Sequence, residues 1–160
     1  MSQLVLETEG ETCIVVKRRF EAPPEAVYRA HLDPELIREW LLGPDGWTMP
    51  VCINEAKPGG KIRYEWSNGK GRTFYLTGEI SLLDPPRRIV HVERMHLPDA
   101  TPDNHVETTF TADGSGTLMV MRMTLPDEKT RAAMLATGME RGMEASYARF
   151  ERLFAAKAGR

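Results

Sequence analysis

The chain has 160 residues, of which 21 are basic and 23 acidic, for a formal net charge of −2. That balance gives no basic footprint for nucleic acid, and no apolar run approaches the ~20 residues that span a bilayer. Cys13 and Cys52, the 2 cysteines, form neither a disulfide framework nor a metal-ligand spacing. Met1-Ser2-Gln3-Leu4 lacks the basic and apolar regions of a signal peptide, so a reduced, cytoplasmic location is expected. The length fits one domain with its own core.

Thr12 to Phe20 is rich in β-branched residues and reads as a strand, pairing with Leu4 to Thr8. Ala22-Pro23-Pro24 ends it. Pro24 suits the first turn of a helix, where its missing N–H has no partner. Val27, Ala30 and His31 then recur at helical spacing. A second short helix starts at Asp33-Pro34-Glu35, with Asp33 as N-cap and Leu36, Ile37, Trp40 and Leu41 on its apolar face. Gly43-Pro44 stops it.

From residue 47 the punctuation is that of a meander. Pro58-Gly59-Gly60, Asn68-Gly69, Asp84-Pro85-Pro86 and Asp113-Gly114 are turn signals. They separate strand-length segments 47–55, 61–67, 72–83, 87–96, 105–112 and 116–125, with 97–104 as a longer loop. Short turns between sequential strands argue for an antiparallel sheet. A final helix runs from an N-cap at Asp127 to about Ala156, with Leu135, Met139, Met143, Phe150 and Phe154 near one stripe. Gly138 and Gly142 interrupt it at a spacing of four, and Ser146 extends their face. Small residues there suit close packing, a kink, open space beside a ligand, or a homodimer contact. One strand, two short helices, many strands and one long helix together describe an α+β container: a curved sheet wrapped on its C-terminal helix.

Several motifs carry a family resemblance. Phe20-Glu21-Ala22-Pro23, Glu25, Val27-Tyr28, Asp33-Pro34-Glu35-Leu36 and Trp40 resemble the opening of START-like proteins of the SRPBCC superfamily. Pro58-Gly59-Gly60-Lys61, Gly78 and Asp84-Pro85-Pro86-Arg87-Arg88-Ile89-Val90 resemble the middle of its heat-shock-chaperone ATPase-activator-like branch. Thr137-Gly138-Met139-Glu140, Gly142-Met143 and Ser146-Tyr147 are similar to that branch's closing helix. The resemblance implies a helix-grip fold, with an antiparallel sheet of about seven strands gripping the last helix over an apolar cavity. Met143 departs from the pattern, since the branch often carries Trp near this position; Met softens that wall. The superfamily holds carriers, cyclase-like enzymes and chaperone co-activators, so fold alone does not fix function.

Strand parity selects the candidate wall, because residues i and i+2 share a face. Ile62, Tyr64 and Trp66 form one set, and Phe74, Leu76, Gly78 and Ile80 another, with Gly78 marking a bulge or strong curvature. Val106, Thr108 and Phe110 face inward, and Met119, Met121 and Met123 share a face. With Trp40, Trp47, Leu135, Met139 and Met143 they make a ligand wall of rings and adaptable methionines, around a cavity of roughly a few hundred Å³. In 87–96 alternation leaves both faces open; the resemblance turns His91 and Glu93 toward the cavity. An imidazole and a carboxylate two residues apart suit a general acid/base pair, or equally a structural one in which Glu93 meets a cation. His96 and His105, with Asp99 or Asp103, are too few and too scattered for a metal site, and no cofactor is required.

Three functions follow as expectations. The first is a binding protein for a small, mostly apolar molecule such as a lipid or polyketide. The second is a cyclase- or hydrolase-type enzyme using Glu93 and His91, and the third an interaction module acting on a chaperone ATPase.

Overall fold

The computed structural model describes residues 4–97 and 99–158. Met1 to Gln3, part of the signal-peptide reading, and Pro98 of the expected loop lie outside the described residues. The chain runs β1 (Val5–Glu9), β2 (Cys13–Phe20), α1 (Pro24–Ala30), α2 (Pro34–Trp40), β3 (Thr48–Asn54) and β4 (Lys61–Ser67). It continues as β5 (Thr73–Asp84), β6 (Arg88–His96), β7 (Asn104–Asp113), β8 (Gly116–Thr124), α3 (Glu128–Leu135) and α4 (Met139–Ala158).

The strands form one 8-stranded sheet in the order β1-β2-β8-β7-β6-β5-β4-β3, with every neighbouring pair antiparallel. The α+β helix-grip layout is as expected, with one strand more than the seven anticipated. The edge strand β1 is the expected partner of β2, in register from Val5↔Lys17 to Glu9↔Cys13. The helix starts follow from local chemistry. Asp33 Oδ1 accepts the Glu35 N–H at 3.0 Å, and Asp127 Oδ1 accepts the Thr130 N–H at 2.7 Å.

The expected single C-terminal helix is in fact two. Gly138 has φ +78°, a left-handed backbone that ends α3 before α4 begins. The Thr137 hydroxyl closes the preceding turn by donating to Met134 O at 2.6 Å. Of the alternatives open for these glycines, close packing is realised at neither: a Cβ at Gly138 or Gly142 would meet nothing within 4 Å. The first glycine marks a break and the second faces open space.

The core lies between the inner sheet face and α1, α2 and α4. Phe20 packs edge-on against Tyr147 and Phe150, each at 5.3 Å between centroids. Trp40 of α2 lies nearly parallel to Tyr147 at 5.5 Å, and its indole N–H donates to Ala30 O at 3.0 Å. Arg149 donates to Gly43 O at 3.0 Å and thereby ties α4 to the segment after α2. Among the described residues no helix is long and apolar enough to cross a membrane.

Candidate functional site

Alternation along the strands leaves a hollow of about 590 Å³ between the inner sheet face and the helices. Ile62, Tyr64 and Trp66 of β4 and Leu76 and Ile80 of β5 form one wall. Ile89, His91, Glu93 and Met95 of β6, Asn104 and Thr108 of β7, and Met121 and Met123 of β8 continue it. Met139, Met143, Ser146 and Tyr147 of α4 close the opposite side. Exposed Leu97, Pro102, Lys129, Ala133 and Thr137 sit at the rim. No residue of α3 is fully buried; this helix borders the opening and touches the core through Met134 and Leu135.

Gly78 helps to shape the wall. A Cβ there would lie 2.6 Å from Val92 O and 3.5 Å from Glu93 Cβ, so any side chain would push β6 away. Gly78 pairs with Glu93 across the ladder, and the register shifts just beyond, between Ile80 and Leu82.

The polar groups in this apolar wall are few and mostly fixed. His91 Nε2–H donates to Glu93 Oε1 at 2.7 Å, with the two side chains 16% and 22% exposed. His31, at the end of α1, donates from Nδ1 to Val27 O at 2.7 Å. Burial pushes the His31 imidazole down to about 4, so its ring is neutral at pH 7. Asn54 donates from Nδ2 to the Tyr64 hydroxyl at 2.9 Å. Burial pushes the Tyr64 and Tyr147 phenols well above their ordinary value of 10.0. Ser146 Oγ accepts the Gly43 N–H at 2.8 Å.

Among the described residues, Tyr28 OH, His31 Nε2, Asn54 Oδ1, His91 Nδ1 and Asn104 Oδ1 are buried without a hydrogen-bond partner. All except Tyr28 belong to residues lining the hollow. Unpaired buried polar atoms are uncommon and costly in folded proteins, and these four are enclosed within the wall of the hollow.

Of the residues singled out from sequence, Trp40, Tyr64, Trp66, Leu76, Thr108, Met121, Met139, Met143, His91 and Glu93 line the hollow. Trp47, Phe74, Met119 and Leu135 lie outside its lining. Trp47 and Phe74 pack on each other at 5.3 Å, and Phe74 stacks at 4.9 Å on its cross-strand partner Trp66, further along the same sheet face. Met119 is 0% exposed, paired with Phe110 where α1 covers the sheet. Leu135 packs against the core from the end of α3. His96 stacks on Tyr75 and hydrogen-bonds Thr77 Oγ1 at 3.0 Å, while Asp103 pairs with Arg94. Among the described residues no three His, Cys, Asp or Glu side chains gather as a metal site.

His31, Asn54, Asn104, Ser146 and Tyr147 also line the hollow, although the sequence does not single them out as site residues. His31 has a signal: a histidine recurring on the apolar face of a short helix. Asn54 and Asn104 have none, since each stands at a strand end where asparagine is ordinary.

A curved antiparallel sheet around a C-terminal helix, with two short helices between the second and third strands, defines the START-like SRPBCC class. Residues 21–155 match the family described as Activator of Hsp90 ATPase homolog 1-like protein, and the chain belongs to it. A structure of a protein from Rhodobacter sphaeroides is similar at 30% identity and TM-score 0.90, covering 96% of this chain and 99% of that one. A protein from Mycobacterium smegmatis, at 18% identity and TM-score 0.83, covers 94% of this chain and 96% of its own. An AHSA1-like protein from Aeromonas hydrophila, at 20% identity and TM-score 0.72, covers 91% and 94%. The last two likenesses speak to the fold alone. No curated protein matches the chain.

Proposed function

We propose that the chain is a single-domain, cytoplasmic binding protein for a small, mostly apolar molecule held between the sheet and α4. The supporting observation is a hollow lined mostly by apolar side chains, with His31, Asn54, His91, Glu93 and Asn104 as a few polar residues among them. Its 590 Å³ lies within the roughly 300–1,000 Å³ usual for small-ligand pockets. The methionines supply an adaptable wall and the few polar atoms supply orientation. Native mass spectrometry with a panel of lipids, flavonoids and polyketides should give at least one 1:1 complex. Met143→Trp, which fills the hollow from α4, should weaken it. A panel without any binder, or binding indifferent to Met143→Trp, overturns the proposal.

The 2.7 Å contact between His91 and Glu93 supports a second reading, a cyclase- or hydrolase-type enzyme. Glu93 fixes the imidazole by its Nε2–H, and Nδ1 is left to take a proton from a bound molecule. Loss of turnover in Glu93→Gln, with ligand binding retained, would distinguish catalysis from carriage; unchanged turnover removes it. The chaperone role in the family's name has no comparable support in a specific group of this chain.

A further inference from the structure

Glu93 brings a carboxylate into a wall that is otherwise mostly apolar, and only one of its oxygens is used. Oε1 accepts from His91 Nε2 at 2.7 Å. Nε2 is the donor whether the ring carries one proton or two, so Oε2 stays available in either case. Among the described residues Oε2 has no hydrogen-bond partner, and it is not one of the atoms enclosed in protein. The side chain is 22% exposed and lines the hollow. Its charge is felt on both sides of that space: burial raises the phenols of Tyr64 on β4 and Tyr147 on α4, and Glu93 raises each further.

Among the described residues Glu93 pairs with no lysine or arginine. The other acidic and basic residues of the lining, Asp127 and Lys129, are exposed at the rim and opposite in sign. Arg18 comes within 5.9 Å of the Tyr147 ring but lies outside the lining, held by Glu144 and Glu151. A carboxylate facing apolar surroundings is costly until a cation meets it. Aromatic faces attract cations as well, and Trp40, Tyr64, Trp66 and Tyr147 stand in the same lining. A neutral ligand offers Oε2 at best an uncharged donor, and an anion adds repulsion. We infer that the hollow selects small amphiphilic cations, with an apolar body among the methionines and rings and a protonated amine that donates to Glu93 Oε2. This rests on the reading of the hollow as a ligand cavity.

The test uses three probes on the full chain, octylammonium, 1-octanol and octanoate, with affinities from calorimetry at pH 7. They share one apolar chain, and the charge of the head group sets them apart. Wild type should bind octylammonium about tenfold tighter than 1-octanol, the difference between a charge-assisted and a neutral hydrogen bond, and octanoate most weakly. Glu93→Gln keeps the size of the side chain and an acceptor for His91 but removes the charge. There the preference for ammonium over alcohol should disappear while 1-octanol binds as before. Met143→Trp, which fills the hollow from α4, should weaken both probes alike. Octylammonium no tighter than 1-octanol in wild type overturns the inference and leaves the cavity reading standing. So does an unchanged preference in Glu93→Gln, or octylammonium binding that ignores Met143→Trp while 1-octanol binding falls. Binding of none of the three overturns the cavity reading together with the inference.

A second measurement needs no variant. In ¹³C-glutamate-labelled wild type, the Glu93 Cδ resonance should move further on adding octylammonium than on adding 1-octanol. A resonance that ignores saturating octylammonium overturns the inference.

Discussion

Arg18 and Glu144 meet side by side: Nε and Nη2 of the arginine each donate to one oxygen of the carboxylate at 2.9 Å. The pair joins β2 to α4, and Glu144 also accepts the Leu4 N–H at 2.9 Å. Arg18 Nη1 bonds Glu151 one helical stretch further on, at 2.5 Å. The guanidinium lies 5.0 Å from the Phe20 ring centroid. Its two ends differ in their access to water, with the Arg18 side chain 2% exposed and that of Glu144 34%.

This asymmetry orders two substitutions. Glu144→Gln deprives a buried guanidinium of a bidentate carboxylate and should cost about 3 kcal/mol in urea unfolding. Arg18→Met strands only carboxylates that can turn toward solvent, and should cost about half as much. The Arg18 hydrogen bond holds the Glu144 carboxyl below its ordinary 4.5. Because the folded-state value is depressed, the stabilisation is complete above pH 4.5 and disappears as pH falls through the folded value. The gap between wild type and Glu144→Gln should therefore narrow below pH 4.5. Arg18→Met costing more than Glu144→Gln would contradict this account.

His31 provides a separate acid response. Burial lowers its imidazole from 6.5 to about 4, so folding disfavours its protonated form. The corresponding stability is complete above pH 6.5 and is lost between 6.5 and about 4. Relative to His31→Phe, wild type should lose stability over that window, as read by urea midpoints at pH 7, 6, 5 and 4. A constant difference across the four would show that His31 takes up its proton as easily folded as unfolded.

The fold was legible because its signals are local and redundant: Asp33 and Asp127 as N-caps, turn residues between strands, and period-two alternation in Ile62, Tyr64 and Trp66. Parity places a side chain on a face but says nothing of its position along that face. Met119 and Met121 share a face, yet only Met121 reaches the hollow, since α1 covers the sheet beside Met119. Trp47 and Phe74 depart from the expected wall for the same reason: Phe74 shares a face with Trp66 but stands further along it, with Trp47 packed on its ring. Arg18 was illegible as a buried charge, because its partners Glu144 and Glu151 lie more than a hundred residues away.

The glycines of the C-terminal region separate by backbone geometry. Gly138 has φ +78°, which a Cβ opposes by roughly 1–2 kcal/mol even in open space. Gly142 sits inside α4, and a Cβ there would have nothing within 4 Å. Gly138→Ala should therefore destabilise by about 1 kcal/mol, and Gly142→Ala should stabilise by up to about 1 kcal/mol. Thermal unfolding of the two variants beside wild type checks both signs; a loss in Gly142→Ala would mean that open space beside α4 is needed for the fold.

Arg131 fastens α3 at the mouth of the hollow. Its Nη1 donates to Gly10 O at 2.9 Å and to Glu9 O and Cys13 O at 3.2 Å, around the β1–β2 turn. With no buried residue of its own, α3 has few other attachments: its Asp127 cap, Met134 and Leu135 against the core, and the junction at Gly138. Arg131→Ala should speed amide exchange across Glu128–Leu135 about tenfold, the effect of roughly one lost net hydrogen bond on local opening. The urea midpoint should scarcely move, because the sheet and α4 are untouched. Asp127→Ala should instead affect mainly the first turn of α3, where the cap acts. Unchanged exchange in Arg131→Ala would show that Met134 and Leu135 hold α3 down unaided, and a fall in the global midpoint would make the latch part of the core's own stability.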